Sequence, residues 1–145
     1  VNPKILYDLL EKDFLPIVSS VGLDESFATY NINADDAACA IARAVGADKL
    51  VFLTDIEGLY GDINDKSSFI PRLTASEADA MIEGGMIGGG MLPKLGNCTA
   101  AVKNGVNKVH ILDGRIPHCL LLEIFTNEGV GTMILRDEDK SEVSR

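Results

Sequence analysis

The apolar run Leu50-Val51-Phe52-Leu53 leads the chain directly into the polar pair Thr54-Asp55. Four successive large apolar residues predict a strand that is buried on both faces, as strands of parallel sheets usually are. In open α/β sheets, ligands bind beyond the carboxyl ends of the strands, where loops expose backbone N–H groups and helix N-termini. This stretch therefore predicts an α/β fold with a candidate site at Thr54-Asp55.

The segments upstream of this strand alternate between helical and extended patterns. Apolar residues at helical spacing predict a helix over Lys4–Leu10, and the apolar run at residues 14–18 predicts a short strand. A loop rich in Gly, Asp and Ser follows. Asn33 suits the N-cap of a helix over residues 34–45, which Gly46 would end.

The same alternation continues downstream. Residues 56–72 have no period and predict a surface loop or hairpin, and Thr74 with Glu77 predicts a capping box for a helix ending near Glu83. Further elements are expected as a helix over residues 91–104, a strand over 107–112, a helix over 117–125 and a strand over 130–135. The order predicts a three-layer αβα sandwich with a mostly parallel sheet, followed by a polar, frayed tail at residues 136–145.

Composition excludes several classes of function. The 145 residues include 22 acidic and 13 basic side chains, and a net charge of −9 argues against binding to nucleic acid or anionic lipid. The three cysteines are odd in number and form no C-x-x-C pair, so neither a disulfide frame nor a zinc site is indicated. No apolar run approaches the ~20 residues that a membrane span needs. A reducing cytoplasm is the expected location.

The first candidate site segment is Tyr30-Asn31-Ile32-Asn33-Ala34-Asp35-Asp36, at a loop-to-helix junction. The amides of Asn31 and Asn33 can hold a ligand carboxylate or amide without adding charge, and Asp35 can fix the position of a nearby lysine. Helix capping explains the same residues, because Asn and Asp are preferred at helix N-termini. Both readings remain open at this point.

The second candidate segment follows the apolar strand at residues 50–53, and the third contains three consecutive glycines. Thr54, Asp55 and Tyr60 can contact the ribose, phosphates and base of a nucleotide, although an ordinary strand-to-loop turn explains them as well. In Gly88-Gly89-Gly90-Met91-Leu92-Pro93-Lys94, glycines before a helix let phosphate oxygens approach backbone N–H groups, and the lysine supplies a compact positive charge. A flexible turn with a solvent-facing lysine is the alternative, and no Walker A pattern is present.

Taken in order, these segments resemble the N-acetylglutamate kinases of the amino acid kinase superfamily. The resemblance rests on Asn31-Ile32-Asn33-Ala34-Asp35, on residues 54–60 and 88–94, and on Glu128-Gly129-Val130-Gly131-Thr132, and it extends to about Leu135. It implies the fold described above and an activity in arginine biosynthesis, in which ATP phosphorylates the side-chain carboxylate of N-acetyl-L-glutamate. It also implies that residues 1–46 end an amino-acid-binding lobe, residues 47–135 form an ATP-binding lobe and residues 136–145 form a tail.

The resemblance assigns roles to individual residues. Lys94 would contact the transferring phosphoryl group, Asp35 would organise the catalytic lysines, and Asn31 and Asn33 would serve the acyl substrate. The residues that would lie along ATP are Thr54, Asp55, Tyr60, Gly89 and Gly90. The phosphates of ATP would supply most of the ligands of Mg²⁺. The first glycine-rich loop, a second catalytic lysine and a substrate-binding arginine of the family have no counterpart here. The chain is therefore expected to be an incomplete fragment, inactive alone.

Two other readings compete with this one. His110 and Glu123 match positions of the arginine effector pocket in arginine-sensitive relatives, which suggests a regulatory module, although a structural role for a mid-strand histidine is simpler. Whichever reading holds, the resemblance also implies a homo-oligomer, with arginine or a PII-type protein as possible regulators. A dinucleotide-binding domain is the other alternative, but no G-x-G-x-x-G opens a helix after a strand.

Overall fold

A four-stranded mixed sheet with helices on both faces organises the protein, whose computed structural model describes residues 1–126 and 129–142. The helices are α1 (Lys4–Leu10), α2 (Ala34–Ala44), α3 (Ala75–Glu83), α4 (Met91–Lys103) and α5 (Cys119–Phe125). The strands are β1 (Val21–Leu23), β2 (Thr29–Asn31), β3 (Lys49–Thr54), β4 (Leu59–Tyr60), β5 (Phe69–Ile70), β6 (Arg72–Thr74), β7 (Lys108–Asp113) and β8 (Thr132–Leu135). Short 3₁₀ helices span Lys66–Ser68 and Asp137–Glu142.

The strand order in the sheet is β3-β7-β8-β6. β3 runs parallel to β7 and β6 runs parallel to β8, whereas β7 and β8 are antiparallel, so the predicted mostly parallel sheet is confirmed. The carboxyl ends of β3 and β7 lie side by side, with Thr54 opposite Asp113. Short links join α2 to β3 and α4 to β7, so the N-terminal ends of both helices reach the same edge of the sheet.

The main core lies between one face of the sheet and helices α2, α3 and α4. Phe52, Ile111 and Ile134 on the sheet belong to one buried cluster with Ala78 of α3 and Leu95 of α4. Helix α5 covers part of the other face, where the side chain of His110 bonds to it. The predicted layers, helix, sheet and helix, are therefore present.

The helix boundaries follow their predicted caps. The Asn33 side chain accepts hydrogen bonds from the backbone N–H groups of Asp35 and Asp36, at 2.9 and 3.2 Å. Thr74 and Glu77 form the full capping box at the start of α3. These caps satisfy helical N–H groups that would otherwise lack partners.

Several predictions about extended segments are wrong. Residues 14–18 form no strand; Leu15 and Ile17 are exposed, Pro16 has no N–H to donate, and no strand in the described part of the chain lies beside them. β3 is an edge strand in this chain, which leaves Leu53 55% exposed, so burial on both faces is also wrong.

The loops contain more regular structure than the sequence indicates. β1 and β2 form a small antiparallel hairpin within the Gly- and Ser-containing loop, and β6 extends the main sheet. The hairpin alternative for residues 56–72 is confirmed by the antiparallel pairing of β4 with β5. Strands of two or three residues are too short to show a period of two in the sequence.

The tail is attached where it leaves β8. Asp137 accepts hydrogen bonds from the backbone N–H and the hydroxyl of Ser76, and the Arg136 guanidinium donates to the carbonyl of Gly105. The expected fraying is therefore wrong at Arg136 and Asp137, while residues 143–145 lie outside the described residues. None of the helices in the described ranges is long and apolar enough to cross a membrane.

Candidate functional site

An ion pair connects the first turns of α2 and α4 at the carboxyl edge of the sheet. Lys94 Nζ lies 2.5 Å from Asp35 Oδ2, and the two side chains are 20% and 30% exposed. The same ammonium lies 5.2 Å from the centroid of the buried Phe52 ring. A partly buried pair is screened by salt less than a surface pair, and an ammonium has three N–H donors, so Lys94 can still bind an anion.

A second hydrogen bond between the same helices runs beside this pair. The side-chain amide of Asn97 donates to Asp36 Oδ1 at 2.7 Å. Asp36 follows Asp35 on α2, and Asn97 lies three residues after Lys94 on α4, which places it on the same side of the helix. Sequence reasoning missed Asn97; its spacing from Lys94 was the available signal.

The two asparagines of the first segment differ in their surroundings. Asn33 uses its side-chain oxygen to cap α2, so the capping reading holds for Asn33. Asn31 is the last residue of β2, and its exposed side chain forms no hydrogen bond with residues 1–126 or 129–142. Asn31 thus has both the oxygen and the N–H groups of its amide available to a ligand, whereas in Asn33 the oxygen is occupied by capping.

The turn after β7 supports the loop after β3. The Arg115 guanidinium donates through Nε and a terminal nitrogen to the two carboxylate oxygens of Asp113, both at 2.8 Å, and the hydrogen bonds from Arg115 hold the pKa of Asp113 below its ordinary value. The Gly114 N–H donates to the carbonyl of Thr54 at 2.9 Å. Asp55 is exposed beside this turn. Asp113 and Arg115 were not singled out from the sequence.

Thr54 itself closes a local turn. Its hydroxyl accepts a hydrogen bond from the backbone N–H of Ile56 and donates one to the carbonyl of Ile56, at 3.0 and 3.1 Å. The hydroxyl is therefore occupied within the chain. Thr54 can meet a ligand through this loop only if the turn rearranges, whereas Asp55 is already exposed.

A cavity of about 280 Å³ brings the second and third sequence segments together. We call it the Tyr60 cavity. It is lined by residues of the loop and hairpin, Ile56, Gly58, Leu59, Tyr60 and Ile63, and of the glycine-rich turn, Met86, Ile87, Gly88 and Met91. Its walls are mostly apolar, and its volume is close to the lower end of the range for small-molecule sites.

Tyr60 is held in place by two contacts. Its hydroxyl donates a hydrogen bond to Glu57, which raises the pKa of Tyr60 above its ordinary value and lowers the pKa of Glu57. Its ring meets the ring of Phe69 edge to face, with centroids 5.3 Å apart and an interplanar angle of 65°. The aromatic wall of the cavity is thus fixed from both ends of the side chain.

The glycine turn leaves space in front of the backbone at the start of α4. Gly89 has φ +58°, a conformation that glycine adopts without strain, and nothing lies within 4 Å of where a Cβ would be at Gly88, Gly89 or Gly90. No side chain caps α4. Pro93 has no N–H and the Leu92 N–H donates to the Gly89 carbonyl at 3.3 Å, which leaves the N–H groups of Gly90 and Met91 for an anion. Met91 lines the cavity and Lys94 follows one turn later, which joins the cavity to the ion pair.

The two remaining candidates, His110 and Glu123, lie apart on the other face of the sheet. His110 Nδ1 is 2.7 Å from Glu123 Oε1, and Glu123 also accepts hydrogen bonds from the N–H groups of Val130 and Gly131. Burial raises the pKa of Glu123, but these hydrogen bonds outweigh it and the net pKa is below the ordinary value. Beside the pair is a cavity of about 50 Å³, the His110 cavity, lined in part by Arg72 and Met133.

One atom of this pair has no bonding partner among the described residues. His110 Nε2 is buried and forms no hydrogen bond within residues 1–126 and 129–142. A buried polar atom without a partner is uncommon and calls for an explanation such as an unseen water or ligand. Within the same residues, no group of three or more His, Cys, Asp or Glu side chains is placed to hold a metal ion.

Comparison with known proteins gives one consistent family. Residues 1–113 match the family model described as the amino acid kinase family. The acetylglutamate kinase of Campylobacter jejuni is 60% identical over 134 residues, which cover 92% of this chain and 47% of the relative. The acetylglutamate kinase of Methanococcus aeolicus is 49% identical over 137 residues, or 94% of this chain and 47% of the relative. The chain thus spans about half the length of the curated relatives it matches.

Solved structures agree on the fold. N-acetylglutamate synthase from Neisseria gonorrhoeae, complexed with coenzyme A and N-acetyl-glutamate, matches with a TM-score of 0.85 at 28% identity, over 92% of this chain and 30% of that chain. The same protein complexed with coenzyme A and L-arginine matches with a TM-score of 0.84 at 27% identity, over 94% and 31%. Glu128, which opens the last of the resembling motifs, lies outside the described residues.

Proposed function

The chain belongs to the amino acid kinase family, and on that premise we propose that it forms the ATP-binding part of an acetylglutamate kinase. The reaction transfers the γ-phosphoryl group of ATP to the side-chain carboxylate of N-acetyl-L-glutamate. The observation that carries the proposal is the Lys94–Asp35 pair at the open N-terminus of α4, next to the Tyr60 cavity. It puts one anchored cation at the same place as the N–H groups of Gly90 and Met91, which begin the helix.

Lys94 acts on the phosphoryl group by electrostatics. In phosphoryl transfer, negative charge spreads over the equatorial oxygens of the group in transit, and catalysis consists mainly of positioning and charge stabilisation. Asp35 keeps the ammonium at one position with a single hydrogen bond and leaves its other donors for phosphate oxygens. The N–H groups at the start of α4 add partial positive charge for the same anion.

The Tyr60 cavity receives the adenine ring in this proposal. Its apolar walls, including Met91 and Ile87, suit a flat heteroaromatic ring, and Tyr60 presents a fixed aromatic surface.

Magnesium, which needs about six oxygen ligands, would be held mostly by the phosphates, with the exposed carboxylate of Asp55 as an outer contact. The magnesium ion would neutralise part of the phosphate charge.

The other parts of the proposal concern the acyl substrate and the location of the protein. Asn31 would contact the acyl substrate. The three free thiols suit a reducing cytoplasm.

Calorimetry on the 145-residue chain tests the nucleotide part of the proposal. Magnesium ADP is titrated into the wild type, into Lys94→Ala and into Lys103→Ala. Lys103→Ala is the control, because Lys103 is the last residue of the same helix and pairs with Asp79 of α3. We expect binding by the wild type and by Lys103→Ala, and weaker binding by Lys94→Ala. A wild type that binds no magnesium ADP would overturn the proposal, and binding of nicotinamide dinucleotides in its place would favour a dinucleotide-binding domain.

A regulatory role is the second candidate, supported by the unpartnered Nε2 of His110. Buried Glu123 with a lowered pKa favours a cationic or hydrogen-bond-donating ligand, and the N-acetylglutamate synthase above was solved with L-arginine. The His110 cavity holds little more than a water or two, so an arginine would require the segment Gly129–Gly131 to move. Arginine titrated into the wild type and into Glu123→Gln tests the regulatory role, and equal heats would exclude it. For the kinase itself we also propose a homo-oligomer, with a PII-type protein as a candidate regulatory partner.

A further inference from the structure

A single buried hydroxyl group joins the start of β8 to the hairpin that walls the Tyr60 cavity. Thr132 Oγ1 accepts a hydrogen bond from the backbone N–H of Leu59 at 2.8 Å and donates one to the carbonyl of Ile70 at 2.7 Å. Leu59 and Ile70 are opposite each other in the β4–β5 pairing. One hydroxyl therefore ties both strands of the hairpin to the central sheet, and Thr132 is fully buried, so water cannot take its place.

The backbone passes close to this hydroxyl just before the hairpin. Gly58 has φ +150°, and a Cβ on it would collide with Thr132 Oγ1 and with the ring of Phe69. Only glycine fits there. Gly58, Leu59 and Tyr60 are consecutive and all line the Tyr60 cavity. The contacts of the Thr132 hydroxyl thus fix the distance between the central sheet and this wall of the cavity.

The hydroxyl is itself held in place from the other side. The carboxylate of Glu123 accepts the N–H groups of Val130 and Gly131 at 2.8 and 3.1 Å, which fixes the segment that enters β8. A Cβ on Gly131 would collide with the carbonyl of Ile111, so the backbone lies tightly against β7 at this point. Thr132 is therefore a rigid support, unlike a residue on a free loop.

We propose that Thr132 is a positioning residue for nucleotide binding, which acts by holding Tyr60 and its neighbours at the correct distance from the glycine turn. The inference rests on the proposed function, because it assumes that the Tyr60 cavity binds adenine nucleotide. A hydroxyl is required since the same group must accept from Leu59 and donate to Ile70. Serine can do this, whereas valine, which has nearly the same shape, cannot.

The test is calorimetric titration of magnesium ADP into four forms of the 145-residue chain: wild type, Thr132→Val, Thr132→Ser and Thr99→Val. Thr99 is a matched control, because it is a buried threonine whose hydroxyl bonds to the carbonyl of Gly96 within α4 and does not line the cavity. We expect Thr132→Val to raise Kd by roughly five- to tenfold, the factor that about 1 to 1.4 kcal/mol represents. Thr132→Ser and Thr99→Val should bind within about twofold of the wild type, a difference of about 0.4 kcal/mol.

The outcomes separate this inference from the proposed function. If the wild type binds no ADP, both fail. If the wild type binds ADP and Thr132→Val binds equally well while its Tm falls, Thr132 has only a structural role and this inference alone is overturned. If Thr132→Val does not fold, amide hydrogen exchange of the wild type decides: exchange at Leu59 and Tyr60 should slow when ADP is added, and unchanged exchange at both would overturn the inference.

Discussion

Asn97 and Asp36 are joined by a 2.7 Å hydrogen bond one helical turn from the Lys94–Asp35 pair. Two polar bonds thus connect the first turn of α2 to the first two turns of α4, and both involve neighbouring carboxylates at an N-terminus already capped by Asn33. The carboxylates also favour this end of α2, because the helix dipole is positive there. The position of Lys94 depends on the relative position of two helices and not on one side-chain contact.

We expect Asn97→Ala to lower Tm by about 3 °C, because a hydrogen bond to a carboxylate contributes on the order of 1 kcal/mol. Asp36→Ala should lower Tm by a similar amount for the same reason. The double variant should be little less stable than either single one, since both lose the same bond. Thermal unfolding by circular dichroism measures all three, and additive losses would show that the two side chains act independently.

Lys94→Ala should reduce kcat by about 10²- to 10³-fold in a protein that also contains the part of the longer relatives that this chain does not cover. This is the usual loss when one preorganised charge-stabilising donor is removed from a transition state. Steady-state formation of ADP in the presence of N-acetylglutamate gives the rate. Lys103→Ala serves as the control on the same helix, and a Lys94→Ala enzyme as fast as that control would contradict the assignment.

Asn31→Ala and Asn33→Ala should affect different properties, the first substrate binding and the second thermal stability. Asn31 makes no side-chain hydrogen bond within the described residues, so its loss should raise KM for N-acetylglutamate and leave Tm nearly unchanged. Asn33 caps α2, and loss of an N-cap costs about 1 kcal/mol, so its variant should melt several degrees lower. Kinetics and melting curves of the two variants in a protein with both halves decide the matter; a Tm loss confined to Asn31→Ala would reverse the assignments.

The 145-residue chain alone should bind magnesium ADP weakly and transfer no phosphoryl group to N-acetylglutamate. The Tyr60 cavity and Lys94 are present, whereas the acyl substrate would meet only Asn31 and its surroundings. Holding the two reactants in line can supply roughly 7 to 11 kcal/mol of the barrier, so half of that arrangement should give no measurable turnover. ADP release with and without N-acetylglutamate is the assay, and turnover within tenfold of a protein with both halves would refute the expectation.

Acid should weaken the fold through Glu123. Its folded-state pKa lies below the ordinary value of 4.5, so its bonds to His110, Val130 and Gly131 add stability above that value and lose it as pH falls through the folded-state pKa. Glu123→Gln should therefore melt below the wild type at pH 7, and the difference should shrink on going to pH 3.5. Melting curves across this range test it; a constant difference would mean that the charge contributes nothing.

The fold and the main site residues could be predicted from local signals. Asn33, Thr74 and Glu77 cap helices through bonds to residues two or three positions away, and such bonds are visible in the sequence as spacing. The Lys94–Asp35 pair was expected from the family resemblance, not from spacing, because the partners are 59 residues apart.

The remaining features depend on contacts that the sequence does not show. Thr132 reaches Leu59 across 73 positions, and Asn97 reaches Asp36 across 61, so neither pairing has a local pattern. The strand expected at residues 14–18 failed for a related reason. Its apolar residues fit an extended chain, but a strand also requires a neighbouring strand to pair with, and no strand of the described residues lies beside residues 14–18.

The outer edge of β3 has no neighbouring strand in the described residues, and Leu53 within this strand is exposed. An edge of this kind is a template on which another chain can complete the sheet. On the proposed function, the protein would be suited to use as one half of a split enzyme. A second polypeptide that supplied the adjoining strands would restore sheet and substrate contacts together, so that recovered turnover would report directly on the meeting of the two halves.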